Sequence, residues 1–164
     1  MDHPSHDHGD PLRPHRHDPN PHPPGPDPTI QLSCPGDPQG QPRRITLADL
    51  RALPPVSVPD CLIVSTGHGT SGPFTFTGPR LLDLIQAHCP GPWSQVAVIS
   101  GDGFGTRVLA AELTDPRVTR PIILAYAVDG QPLSREQGLV RLIVPSETDD
   151  ALRQVKWVAQ VQVR

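Results

Sequence analysis

Gln95-Val96-Ala97-Val98-Ile99-Ser100-Gly101-Asp102-Gly103-Phe104-Gly105-Thr106-Arg107-Val108-Leu109 is an apolar run, a glycine turn and a second extended run. Gln95 to Ser100 reads as a strand, because it is short and apolar and ends at a turn signal. Gly101-Asp102-Gly103 reads as a tight turn, where glycine takes positive φ freely and aspartate bonds its own backbone. Thr106 to Leu109 is then the returning extended run.

The neighbouring segments read as similarly short pieces. Ile45 to Leu53 is expected to be a helix, with Thr46 as its cap, Asp49 three residues on, and Leu47, Leu50 and Leu53 on one face. Cys61 to Ser65 reads as a buried strand. Thr66 to Gly78 has four glycines in thirteen residues and reads as a long loop. Pro79 suits the first turn of a helix running to about His88, with Leu81, Leu82 and Ile85 facing inward. Further strands are expected at Pro121–Val128, closed by Asp129-Gly130, and at Leu139–Val144. In Val155–Val163 alternation puts Val155, Trp157, Ala159, Val161 and Val163 on one face, and Lys156, Gln160 and Gln162 on the other. The expected class is α+β, a strand-rich mixed-sheet domain with two or three short helices packed on sheet faces.

Composition divides the chain in three. Residues 1–28 hold nine prolines, six histidines and, besides Met1, the single aliphatic Leu12. Such a segment buries too little apolar surface to offset ordering entropy and is expected to be disordered. His3, His6, His8, His15, His17 and His22 are candidate metal ligands, since imidazole suits zinc, nickel and copper; the competing reading is a solvated tail without a specific task. Residues 29–42 read as a linker with turn signals at Pro35-Gly36, Asp37-Pro38 and Gln41-Pro42, in which Ile30 and Leu32 form at most a short edge strand. Residues 43–164 are the expected globular domain.

A net charge of −3 argues against a nucleic-acid binder, which presents a basic face. No apolar run reaches the length of a membrane span. Met1-Asp2-His3-Pro4 lacks the basic and apolar stretches of an export signal, so cytoplasmic residence is the expectation. Cys61 and Cys89 sit in apolar stretches and read as buried thiols, and Cys34 beside Pro35-Gly36 as an exposed, oxidisable one. Three cysteines without regular spacing suggest neither a disulfide framework nor a zinc ribbon.

Several polar residues carry two readings each. Arg141 is a holder of phosphate or of a substrate oxyanion, or a salt-bridge residue. Lys156 reaches the same pocket or lies on the solvated face of its strand. Asp102 positions a ligand or makes its turn. His68, between Gly67 and Gly69, is a ligand or proton-transfer residue or a surface histidine. Trp93 and Trp157 read as packing residues, and Phe74 and Phe76 as a cover for the glycine loop. No P-loop, dinucleotide fingerprint or serine-histidine-acid arrangement is present.

The order of these pieces is informative. The helix Thr46-Leu47-Ala48-Asp49-Leu50 is followed by Phe76-Thr77-Gly78-Pro79-Arg80-Leu81-Leu82-Asp83-Leu84-Ile85, then by Ser100-Gly101-Asp102-Gly103-Phe104. Leu124-Ala125-Tyr126-Ala127-Val128-Asp129-Gly130-Gln131-Pro132-Leu133, Gln137-Gly138-Leu139-Val140-Arg141-Leu142-Ile143-Val144-Pro145 and Val155-Lys156-Trp157-Val158 complete it. This succession resembles the oxidoreductase molybdopterin-binding domain of sulfite oxidases and assimilatory nitrate reductases. The resemblance implies a molybdenum ion held by the pterin dithiolene and by one protein cysteine, a soft anionic sulfur donor. Aligning the glycine of Leu62-Ile63-Val64-Ser65-Thr66-Gly67-His68 puts Ser65 at that position, with Thr66, Gly67, His68, Asp102, Arg141 and Lys156 as the remaining cofactor-binding candidates. Cys61 lies four residues earlier, about 13 Å along an extended strand. Where the family often offers a lysine-containing glycine turn to the pterin phosphate, this chain has the acidic Ser146-Glu147-Thr148-Asp149-Asp150. The resemblance further implies that the Thr66–Gly78 loop, the Asp102 turn and Arg141 converge on one site.

The functional expectation is a homologue of molybdopterin-dependent oxidoreductases with weak or no redox activity. The alternatives are a working molybdopterin oxidoreductase, or an accessory module with a metal-holding histidine tail that serves a small-molecule or protein partner.

Overall fold

The computed structural model describes residues 24–37, 41–65, 69–145 and 153–164. The histidine-rich residues 1–23 and the acidic turn 146–150 lie outside that range.

The first unit is a five-stranded mixed sheet. In order across it run β2 (Arg43–Ile45), β1 (Ile30–Ser33), β11 (Val158–Val163), β5 (Gln95–Ser100) and β6 (Gly105–Leu109). The β5–β6 hairpin is the one read from the sequence, with Gln95 opposite Leu109 and Ile99 opposite Gly105. β1 runs parallel to β11, with Leu32 beside Val161, and antiparallel to β2. The segment expected to be a linker with an edge strand therefore supplies an interior strand. Its Ile30 and Leu32 are fully buried, and full burial of such side chains stabilises by about 1.5–3 kcal/mol each.

Two helices cover this sheet. α1 (Leu47–Ala52) starts at the expected capping box: Thr46 Oγ1 accepts from the Asp49 N–H, and the Asp49 carboxylate accepts from the Thr46 N–H at 2.8 Å. α2 (Leu81–His88) buries Leu81, Leu84 and Ile85, while an Arg80–Asp83 ion pair closes its first turn. Pro79 ends the preceding strand, two residues before Leu81, and so lies outside the helix that it was expected to open. A third short helix, α3 (Ala110–Thr114), follows β6 directly.

The second unit is a four-stranded sheet built on a long hairpin. β3 (Pro55–Ser65) and β4 (Gly69–Pro79) pair from Pro55–Pro79 to Ser65–Gly69. β8 (Ala127–Val128) and β9 (Gln131–Pro132) extend it beside β4. The glycine-rich stretch read as a loop is thus mostly strand. Thr75, Phe76 and Thr77 suit a pleated surface, and β3 satisfies the backbone groups that a loop would expose.

Between the two units lies a two-stranded ladder, β7 (Ile123–Ala125) with β10 (Arg141–Ile143). Its alternating residues enter different cores. Ile122, Leu124 and Leu142 join the core under the five-stranded sheet, whereas Ile123, Ala125 and Ile143 join the core formed with Val58, Cys61, Ile63 and Phe76. A strand buried on both faces has no polar alternation, which is why Ile122-Ile123-Leu124-Ala125 is continuously apolar.

The cysteines depart from expectation. Cys34 and Cys89 form a disulfide between the end of β1 and the C-cap of α2, and both are buried. Cys34 is therefore not an exposed thiol. Cys61 alone is free, and it is buried as expected.

Candidate functional site

The chain narrows to a crowded corner where the segment before β10 meets the segment before β11. Gly138 takes φ +110°, and Leu139 and Trp157 take φ 58° and 54°, in the left-handed region that large side chains seldom adopt. Their strain is over-determined by backbone pairing. Gly138 O accepts from the N–H groups of Val140 and Trp157, Val140 O from Val158, and Val155 O from Leu142. The approach is so close that a Cβ on Gly138 would stand 2.7 Å from Lys156 Cβ and 3.2 Å from Arg141 Cγ.

Two cations are buried here. Arg141 is 4 % exposed and Lys156 is 6 % exposed. Arg141 Nη1 donates to Gln137 O at 3.0 Å. Lys156 Nζ donates to Glu136 O at 3.5 Å and lies 3.8 Å from the centroid of the Trp157 ring. Trp157 Nε1 in turn donates to Arg135 O at 2.5 Å. Carbonyl dipoles and a ring face thus offset part of the cost of burying two positive charges. Lys156 had two readings, pocket or solvated face, and it is not solvated. The register shifts between Val158 and Gln160, so Val158 instead of Ala159 faces the core and residues 155–158 are covered on both sides.

The Asp102 turn abuts this corner through Gly101, whose N–H donates to Trp157 O at 2.8 Å. Asp102 itself serves the turn. Its carboxylate accepts from Phe104 N–H at 3.0 Å, and its own N–H donates to Ser100 Oγ at 3.1 Å. The segment Pro24–Pro28 crosses the same place. Pro24 packs on Gly101, and its carbonyl accepts from Arg135 Nε at 2.8 Å. Beneath it is a crevice of about 40 Å³ lined by Gly25, Asp27, Gly101, Leu139 and Trp157. The boundary expected at residue 28 therefore falls inside a stretch that touches the domain.

Arg141 and Lys156 meet beside Gly138, and the Asp102 turn reaches the same corner through the Gly101–Trp157 hydrogen bond. Ser65 is placed differently. It pairs with Gly69 at the turn end of the β3–β4 hairpin, whereas Arg141 pairs with Ala125, which packs on Gly78 near the open end. Val56 lies opposite Gly78, and the chain from Val56 to Ser65 spans up to about 30 Å at strand rise. Thr66, Gly67 and His68 lie outside the described residues, as do His3, His6, His8, His15, His17 and His22. Among the described residues no cluster of three or more His, Cys, Asp or Glu side chains is arranged to hold a metal ion.

The resemblance implies a sulfur at the metal position; Cys34 and Cys89 are bonded to each other, and Cys61 is a buried free thiol. Cys61 is 3 % exposed in the second core, and its thiol donates to Val58 O at 3.3 Å. Burial pushes that thiol up, only partly opposed by the Arg120 guanidinium 3.7 Å away. The reading of the sequence missed Gly138, Arg135 and the carbonyls of Glu136 and Gln137. Their signal was the Gln137-Gly138 pair ahead of the Arg141 strand.

The family model for the oxidoreductase molybdopterin binding domain matches residues 22–164. The chain belongs to this family. It is 28% identical over 147 residues to the mitochondrial sulfite oxidase of Drosophila melanogaster, covering 74% of this chain and 25% of that protein. The mitochondrial sulfite oxidase of Homo sapiens is 36% identical over 66 residues, 40% of this chain and 11% of that protein. An inducible nitrate reductase (NADH) of Glycine max is 41% identical over 64 residues, 38% of this chain and 7% of that protein. The chain spans a quarter or less of the length of these curated relatives. The match begins upstream of β1, in agreement with the strand's place in the sheet.

The donor set fits one end of the family's cofactor. Two buried cations suit a phosphate.

Proposed function

We propose that this chain is a molybdopterin-domain homologue that keeps the anion-holding corner and has weak or no redox activity. The observation that carries the reading is the fate of the three sulfurs. Cys34 and Cys89 are spent on each other, Cys61 is sealed in a core with its proton retained, and Ser65 ends β3. A serine hydroxyl is a hard donor that ionises far less readily than a thiol. Arg141 and Lys156 remain as the groups that would hold the phosphate of a pterin or another compact oxyanion.

A working oxidoreductase is the second reading, and the family match over residues 22–164 supports it. The two readings separate in one experiment. Protein from a host that makes the cofactor is tested for pterin content and for sulfite-dependent reduction of an artificial electron acceptor. We expect no turnover above a Ser65→Ala control, whatever the pterin content. Turnover lost in Ser65→Ala would establish the oxidoreductase.

A further inference from the structure

We propose that Cys34–Cys89 is a structural bond made in an oxidising compartment, where it clamps the N-terminal strand to helix α2. The inference rests on no residue of the cationic corner and is independent of the functional reading above.

Cys34 follows β1 directly, and Cys89 caps α2 with its N–H donating to Ile85 O at 2.7 Å. β1 has four residues, and β2, which has three, is joined to the sheet through β1 alone. These are the two shortest strands of the five-stranded sheet, and the bond fixes them to a helix 55 residues on. Closing a loop of that length removes much of the freedom of the unfolded chain. Both cysteines lie in the main apolar core, Cys34 8 % and Cys89 4 % exposed.

Pairing is selective. Cys61 belongs to the other core, and its raised thiol yields little of the thiolate that exchange requires. Formation takes two protons and two electrons from the Cys34 and Cys89 thiols. A disulfide oxidant accepts them by exchange through a mixed disulfide and leaves as a dithiol. Reducing cytosol opposes this outcome, whereas secreted and periplasmic settings maintain it. The inferred setting is thus opposite to the cytoplasmic residence expected from the first four residues.

The test uses the protein in the cells that make it. Cells are quenched in acid, free thiols are blocked in denaturant, and the isolated chain is reduced and labelled with a second reagent. We expect one blocked thiol, at Cys61, and two thiols released by reduction, at Cys34 and Cys89. Three blocked thiols at the first step would overturn the compartment. For the clamp, Tm is measured with and without dithiothreitol on wild type and on Cys61→Ala. A fall of roughly 10 °C on reduction is expected in both. Equal Tm in the oxidised and reduced forms of wild type would overturn the clamp. The Cys34→Ala/Cys89→Ala double variant should match reduced wild type and should not respond to dithiothreitol.

Discussion

Gly138→Ala is the sharpest probe of the cationic corner. At φ +110° an alanine is strained, and its Cβ would meet Lys156 Cβ at 2.7 Å, Arg141 Cγ at 3.2 Å and Trp157 N at 3.3 Å. None of these is the far end of a flexible side chain, so backbone must move. Strain alone costs about 1 kcal/mol, and overpacking adds about 1–3 kcal/mol. Gly130→Ala supplies the control. Gly130 has φ +82° with no heavy atom within 4 Å of its would-be Cβ, so only the strain remains. We expect Gly138→Ala to lose about 2–4 kcal/mol and Gly130→Ala about 1 kcal/mol in urea unfolding, with unchanged m-values. At roughly 3 °C per kcal/mol, the first variant should melt about 6–12 °C lower. Tryptophan emission follows the unfolding, because the Trp157 indole donates within the corner. If the two variants agree within about 0.5 kcal/mol, Lys156 and Arg141 are not packed against Gly138 and the corner is wrongly described.

Thr46→Ala should cost about 1 kcal/mol by removing the cap of α1. Asp49 accepts first from the Thr46 N–H and then from its hydroxyl, which holds its carboxyl below the usual range. That contribution is present above about pH 4 and is lost as pH falls through the lowered value, so Asp49→Asn should flatten the acid limb of a stability–pH curve. Burial raises the Cys61 thiol, so the unfolded chain ionises first. Stability should decline as pH rises above about 8.5, and the slope should be absent in Cys61→Ala. Deleting residues 1–23 should leave Tm unchanged while removing weak zinc binding measured by calorimetry. Deleting residues 1–28 should cost about 1 kcal/mol more, through the lost Pro24–Arg135 hydrogen bond.

What could be read in the sequence was local. Thr46 and Asp49 announce a cap three residues apart, and Gln95 to Ser100 announces a strand by its β-branched residues and its turn. β4 was hidden because its glycines resemble a loop, while the partner that makes it a strand, β3, precedes it by a turn. β1 was hidden because four residues flanked by prolines carry no period, and its parallel neighbour lies more than a hundred residues later. Lys156 was ambiguous because alternation takes a regular register for granted, and the register shifts between Val158 and Gln160. The Cys34–Cys89 pair was invisible because connectivity is a tertiary fact that spacing does not encode. Of the corner, Arg141 and Lys156 were named individually. Their burial depends on the positive φ of Gly138, Leu139 and Trp157, which bends two distant segments together.

The metal content of the protein tests the central claim most directly. Protein purified without a metal-affinity tag, from a host that makes molybdopterin, is analysed for molybdenum per chain in wild type, Ser65→Ala and Cys61→Ala. With Cys34 and Cys89 bonded to each other and Cys61 buried, wild type should hold far less than one molybdenum per chain, and neither variant should change that. Near one molybdenum per wild-type chain, lost in Ser65→Ala, would contradict the claim. The same content lost in Cys61→Ala alone would show instead that the buried thiol is the ligand and that β3 carries a different register.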